Sequence, residues 1–89
     1  MVRPDVECMS DDEGLGNFDN VWECADACQE ISECKYFIYG KGEKEGACFW
    51  EKTVSEDCPD DWEDDYKYDF YKIISKLNSD KLLEFLGYH

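Results

Sequence analysis

Histidine is almost missing from this chain: His89, the last of 89 residues, is the only one. The commonest general base and metal ligand is therefore unavailable away from that end. No Ser, His and Asp arrangement can be drawn, so no catalytic residues and no enzymatic activity are expected. Positive charge is scarce too, with Lys+Arg 9 against Asp+Glu 23 and a formal net charge of −14. Nucleic acid is held by lysine and arginine that neutralise phosphates, so it is excluded as a partner, and anionic membrane surfaces are disfavoured. No apolar run approaches the ~20 residues of a membrane helix, so no membrane insertion is expected. The first residues, MVRPDVEC, contain no apolar core of a signal peptide. No Asn-x-Ser/Thr site for N-glycosylation occurs, and GKGEKEG lacks the Ser or Thr that follows Gly-Lys in a phosphate-binding loop. No cofactor is expected.

Cysteine and aromatic residues, by contrast, are plentiful: Cys8, Cys24, Cys28, Cys34, Cys48 and Cys58, with 16% Phe, Trp and Tyr. A chain of this length has a marginal apolar core. An even number of cysteines in such a chain reads as a three-bridge disulfide framework and an extracellular, secreted setting. Zinc is the rival, and it is disfavoured because no CxxC pair is present. The aromatic content also argues against a disordered acidic chain.

Taken in order, the segment up to Phe18 is polar and turn-rich, with Val6, Cys8 and Met9 as a short edge strand and Asp11, Asp12 and Glu13 in a loop. That loop lacks the ligand alternation of an EF-hand. Asn20 is a good N-cap, and Glu23 three residues later completes a capping-box pattern, so a helix is expected from Val21. Val21, Cys24, Cys28 and Ile31 recur at helical spacing, leaving Glu23, Asp26, Glu30 and Glu33 on the wet side. Cys24 and Cys28, four apart, share one face. Ser32 and Glu33 should break the helix. KYFIY then reads as a strand that places Phe37 and Tyr39 on one face and Tyr36 and Ile38 on the other. GKGEKEG reads as a hairpin turn and ACFWEK as the returning strand, with Cys48 aimed at the helix.

The stretch SEDCPDDWEDDYKYD sets Glu56, Asp57, Asp60, Asp61, Glu63, Asp64, Asp65 and Asp69 against Lys67 alone. A solvated acidic loop, stapled by Cys58 and anchored by Trp62, is the expectation. Asp60, Asp61, Asp64 and Asp65 are weak calcium candidates, because crowded carboxylates suit a hard cation but no recognised ligand spacing is present. YKYDFYKII from Tyr66 should close the sheet. DKLLEFLGY, with Leu82, Leu83, Phe85 and Leu86 on one side and Gly87 at the C-cap position, should form a last amphipathic helix. Such a short helix needs an apolar surface to receive it, in its own domain or on a neighbour.

The central stretch resembles the PAN/apple domain family through Cys24, Ala25, Cys28, Cys34, Phe37, Tyr39 and Cys48, with Lys52 where that family often has a basic residue; YDFYKI is similar to its closing strand. The resemblance implies an α+β, small disulfide-rich domain in which an antiparallel sheet cradles one helix. Residues 1–75 would form that domain and residues 76–89 the C-terminal helical tail. It further implies bridges Cys24 to Cys48 and Cys28 to Cys34, which leaves Cys8 and Cys58 to each other. Cys58 precedes the final strand, whereas the apple type places its last cysteine after it.

Members of that family are binding modules for proteins or carbohydrates, so the resemblance implies a non-catalytic, extracellular adhesion or recognition module. Trp50, Trp62 and Tyr66 are the candidate ligand-binding aromatics, since their rings can stack on sugars. An alternative is a structural subunit of an extracellular filament or other homopolymer that self-associates through the C-terminal helix.

Overall fold

The computed structural model describes residues 1–73. The expected tail helix and the boundary after residue 75 lie outside the described residues. Five strands, β1 (Arg3–Cys8), β2 (Asp12–Asn17), β3 (Tyr36–Gly40), β4 (Ala47–Glu51) and β5 (Trp62–Lys72), form one antiparallel sheet in the order β1-β5-β3-β4-β2. Helix α1 (Val21–Gln29) covers one face.

The two faces carry two cores, which follows from the period-two alternation of strands. Phe37 and Tyr39 point to the helix side, where Cys24, Ala25, Cys28, Cys34, Cys48, Tyr71 and Ile73 are also buried. Ile38 and Tyr36 point the other way, toward Val6, Phe70, Tyr68, Cys8 and Cys58. Stacked pairs Phe37/Tyr71 and Tyr36/Phe70 tie β3 to β5 on both faces.

Asn20 caps α1 as expected, its Oδ1 accepting from the backbone N–H of Glu23 at 3.0 Å, and Glu23 Oε1 returns the bond one residue further out, to the N–H of Asp19 at 3.1 Å. The helix ends at Gln29, not Ser32, because Cys28 turns the chain back to Cys34 through a bridge of sequence separation 6. Cys24 bonds Cys48 of β4, and Cys8 bonds Cys58.

Two expectations are corrected. Asp12 and Glu13 lie in β2, where they pair with Glu51 and Trp50, so the N-terminal acidic loop is a strand edge. Trp62, Glu63, Asp64 and Asp65 open β5, so only the first half of the long acidic stretch is loop. Both were hidden because charged residues on a strand segment paired on one side only, β2 with β4 and the first residues of β5 with β1, look like loop composition; that pairing supplies the hydrogen bonds that local sequence does not announce.

The opposite edges β1 and β2 are joined only through Met9, Ser10 and Asp11, so the sheet curls until its edges meet at that end. Cys8 N–H donates across the seam to Glu51 Oε2 of β4 at 3.2 Å, while Lys52 N–H to Asp11 O at 2.8 Å and Met9 N–H to Asp61 O at 2.9 Å carry the β2–β4 and β1–β5 ladders one rung into the connection.

Candidate functional site

A groove opens beside the N-terminus of α1, where β3 ends against the middle of β5. Its lining is Val21, Tyr39, Gly40, Lys41, Glu45, Asp69 and Tyr71, around a cavity of about 490 Å³. Tyr39 and Asp69 are register partners across β3 and β5, so sheet pairing itself brings them together. Gly40 is required there: a Cβ would lie 1.9 Å from the carbonyl oxygen of Lys44, in the 3₁₀ turn Gly42–Lys44 that folds over it. The tight turn aims Lys41 back across the sheet.

Lys41 Nζ donates to Asp5 Oδ1 at 2.6 Å and to Asp69 Oδ1 at 2.9 Å. Asp5 reaches this point because β1 bulges between Pro4 and Val6, with Asp5 at φ 62, a left-handed conformation that aspartate tolerates. Its N–H also donates to Asp69 Oδ1 at 2.9 Å. These contacts fix an ammonium beside a carboxylate and raise the Lys41 pKa, chiefly through the hydrogen bonds from its ammonium to Asp5 and Asp69. Tyr39 donates its hydroxyl proton to Phe18 O at 2.7 Å, and burial, with Glu45, Asp19 and Glu23 nearby, raises its pKa, so it stays a neutral ring. A concave site with aromatic walls and a few fixed polar groups is the ordinary form of a small-ligand site.

The second chemically distinctive cluster sits at the seam. Glu51 is 0% exposed, and its carboxylate accepts from the N–H of Cys8 at 3.2 Å and from Ser10 Oγ at 3.3 Å. Glu7, Asp12 and Glu51 place carboxylate oxygens within 4.8 Å of one another. Burial first, then the charges of Asp12 and Glu7, pushes Glu51 up to about 8. Glu7 rises to about 7 through burial, a side-chain hydrogen bond with Asp65, and the charges of Asp65, Glu63 and Asp12. These oxygens are the donor type that holds a hard cation, in smaller number than calcium usually takes. Both raised values favour the protonated form of Glu7 and Glu51 toward neutral pH.

The residues singled out from sequence are dispersed. Trp50 packs with the helix-side core under the Lys52 ammonium, 4.6 Å from its ring centroid. Trp62 belongs to the opposite core, edge-on to Phe70 and covered by the Arg3 guanidinium at 4.9 Å. They therefore form no common platform. Tyr66 is 72% exposed. Asp60 and Asp61 lie in the turn before β5 and Asp64 and Asp65 within it; Asp61 Oδ1 accepts from Trp62 N–H and Asp65 Oδ1 from Lys67 N–H.

From the sequence Tyr39 stood with Phe37 on one face of a strand, and Lys41, Asp69 and Glu51 were not singled out as site residues. A signal existed for Glu51: Ala47, Phe49 and Glu51 share one strand face, so a carboxylate stands where the alternation calls for an apolar side chain. Lys41 and Asp69 gave none, because their partnership depends on a strand pairing and a bulge distant in sequence. Comparison with protein-family models, characterised proteins and solved structures gives no match.

Proposed function

We propose that this chain is an extracellular, non-catalytic binding module of the PAN/apple kind whose groove receives a neutral carbohydrate. The observation that carries the reading is the fixed Lys41–Asp69 pair, 2.9 Å apart, set against the rings of Tyr39 and Tyr71. A sugar hydroxyl is at once donor and acceptor, so an ammonium beside a carboxylate meets both of its needs. Aromatic walls meet the apolar C–H faces of the ring, and the groove needs no reorganisation because its polar groups are already held. Glu45, Asp5 and Asp69 make its surroundings negative, which selects against phosphorylated or acidic sugars. Three disulfides in so small a domain suit an oxidising, extracellular setting.

A glycan array probed with the oxidised domain tests this. The wild type should retain neutral glycans, Tyr66→Ala should retain the same set, and Lys41→Ala should weaken them roughly ten- to a hundredfold, the scale of a lost charged hydrogen bond. Undiminished retention by Lys41→Ala, or retention of no neutral glycan by the wild type, would rule the groove out.

A further inference from the structure

Residues 9–14, the connection from β1 and the first half of β2, form a short flap over the seam with a fixed point at each end. Cys8, just before it, is bonded to Cys58. Just after it the β2–β4 ladder shifts register between Gly14 and Gly16, and Gly16 has φ 122. Beyond that bulge the chain is held again, by Phe18 N–H to Gly46 O at 2.9 Å and by the Tyr39 hydroxyl on Phe18 O. β2 pairs with β4 alone, and only Leu15 along it is partly buried. A segment with so little apolar contact opens at lower cost than the core.

Closure therefore rests on Glu51. Its carboxylate takes Cys8 N–H at the root of the flap and Ser10 Oγ within it, so one side chain of β4 ties both. Glu7 of β1 and Asp12 of β2 bring further carboxylate oxygens within 4.8 Å, and Tyr36 of β3 lines the same face. From β5, Glu63 and Asp65 act on Glu7, and Tyr68 stands near Glu7, Asp65 and Asp12. Among the described residues Glu7, Asp12 and Glu51 make no ion pair; Lys52, next along β4, turns to Glu13 and the Trp50 ring. A protonated Glu51 keeps one oxygen for Cys8 N–H and gains an O–H to donate within the cluster. An ionised one meets like charges away from water.

We propose that protonated Glu51 is the latch of this flap, and that its ionisation beside Glu7 and Asp12 releases residues 9–14 from β4 while the rest of the fold stays closed. The released flap leaves the edge of β4 at Trp50 and Glu51 open to pairing with another strand. Proton release gives the direction. Burial, then Asp12 and Glu7, pushes Glu51 up to about 8 in the closed form, whereas in the open form water returns it to the ordinary carboxylate range. Opening thus sheds one proton between those values and becomes about tenfold easier per pH unit, levelling near 8.

Amide hydrogen exchange of the oxidised chain, followed by NMR from about pH 6 to 9 and corrected for intrinsic exchange, provides the test. Cys8 N–H and Lys52 N–H, whose bonds to Glu51 and Asp11 the flap must break, should exchange about a hundredfold faster at pH 8 than amides of the β3–β5 ladder. Their opening should rise about tenfold per pH unit to a plateau near 8, and Glu51→Gln should abolish that rise. Asp12→Asn leaves Glu51 in place and should move the plateau to lower pH, so the latch stays testable should Glu51→Gln fail to fold. Flap amides as protected as the ladder would mean that the seam opens only with the whole fold. A rise that persists in Glu51→Gln, or a plateau that Asp12→Asn does not move, would put the proton elsewhere. Each of these three results overturns the proposal.

Discussion

Glu51 occupies a position on β4 that follows Ala47 and Phe49 on the same face, yet it is fully buried beside two further acids. Its native pKa, pushed up to about 8 from 4.5, means that the folded protein holds a proton that the unfolded chain releases. Stability is therefore greatest below the unfolded value and falls as pH rises through the interval from about 4.5 to about 8, where the unfolded state binds fewer protons. Glu7, raised to about 7, adds a loss of the same sign over its own narrower interval. Thermal melts of the wild type should accordingly decline between pH 5.5 and 8.5. Glu51→Gln keeps one oxygen to accept from Cys8 N–H and turns its NH2 donor to Ser10 Oγ while removing the charge, so it should flatten most of that decline and exceed the wild type by about 1 to 3 kcal/mol at pH 8.5. A wild-type melting temperature constant over this range would refute the seam electrostatics. The presence of a misplaced acid was legible in the alternation of ACFWE; that Glu7 and Asp12 would join it was not, because β1 and β2 meet only when the sheet curls.

At the scale of elements, what could be read depended on whether the signal was local. The start of α1 was fully specified by Asn20 and Glu23, since a cap is made within four residues. Asn20→Ala should cost about 1 kcal/mol in urea unfolding, with little change in the slope of the transition. The alternation of β3 also stood in the sequence, and both its faces are occupied as the pattern requires. Strand β2 and the first residues of β5 were missed because their acidic side chains face outward and their order is imposed by β4 and β1. The β3–β4 connection read as a hairpin, but the 3₁₀ turn that folds Lys44 over Gly40 did not. Gly40→Ala forces that turn away from the strand, and with it the backbone that aims Lys41; destabilisation above about 2 kcal/mol is expected, measured by the same unfolding series. A cost indistinguishable from zero would mean that the turn is free to move and that the groove is not preformed.

For the whole molecule, the cysteine count was the most informative property of the sequence, because a small chain with six cysteines and a high acidic content has few other ways to become compact. The three bridges differ in the lengths they close, with sequence separations of 50, 24 and 6. In the chain-entropy account, removing Cys8–Cys58 costs about 4 kcal/mol and removing Cys28–Cys34 about 2 kcal/mol. Paired Cys→Ser variants compared by calorimetry should show that order. Cys8–Cys58 also anchors the seam end of the sheet, so its loss should open the curl as well as loosen the chain. The groove lies apart from that bridge, on the helix side, and depends instead on the β3–β5 pairing and the bulge at Asp5. The central claim is that this groove holds a neutral sugar, and amide-resolved NMR of the oxidised domain titrated with neutral monosaccharides tests it most directly. Saturable shifts confined to Tyr39, Gly40, Lys41, Asp69 and Tyr71 are predicted; shifts centred on Trp50, Trp62 or Tyr66, or no saturable shift with any neutral sugar, would contradict it.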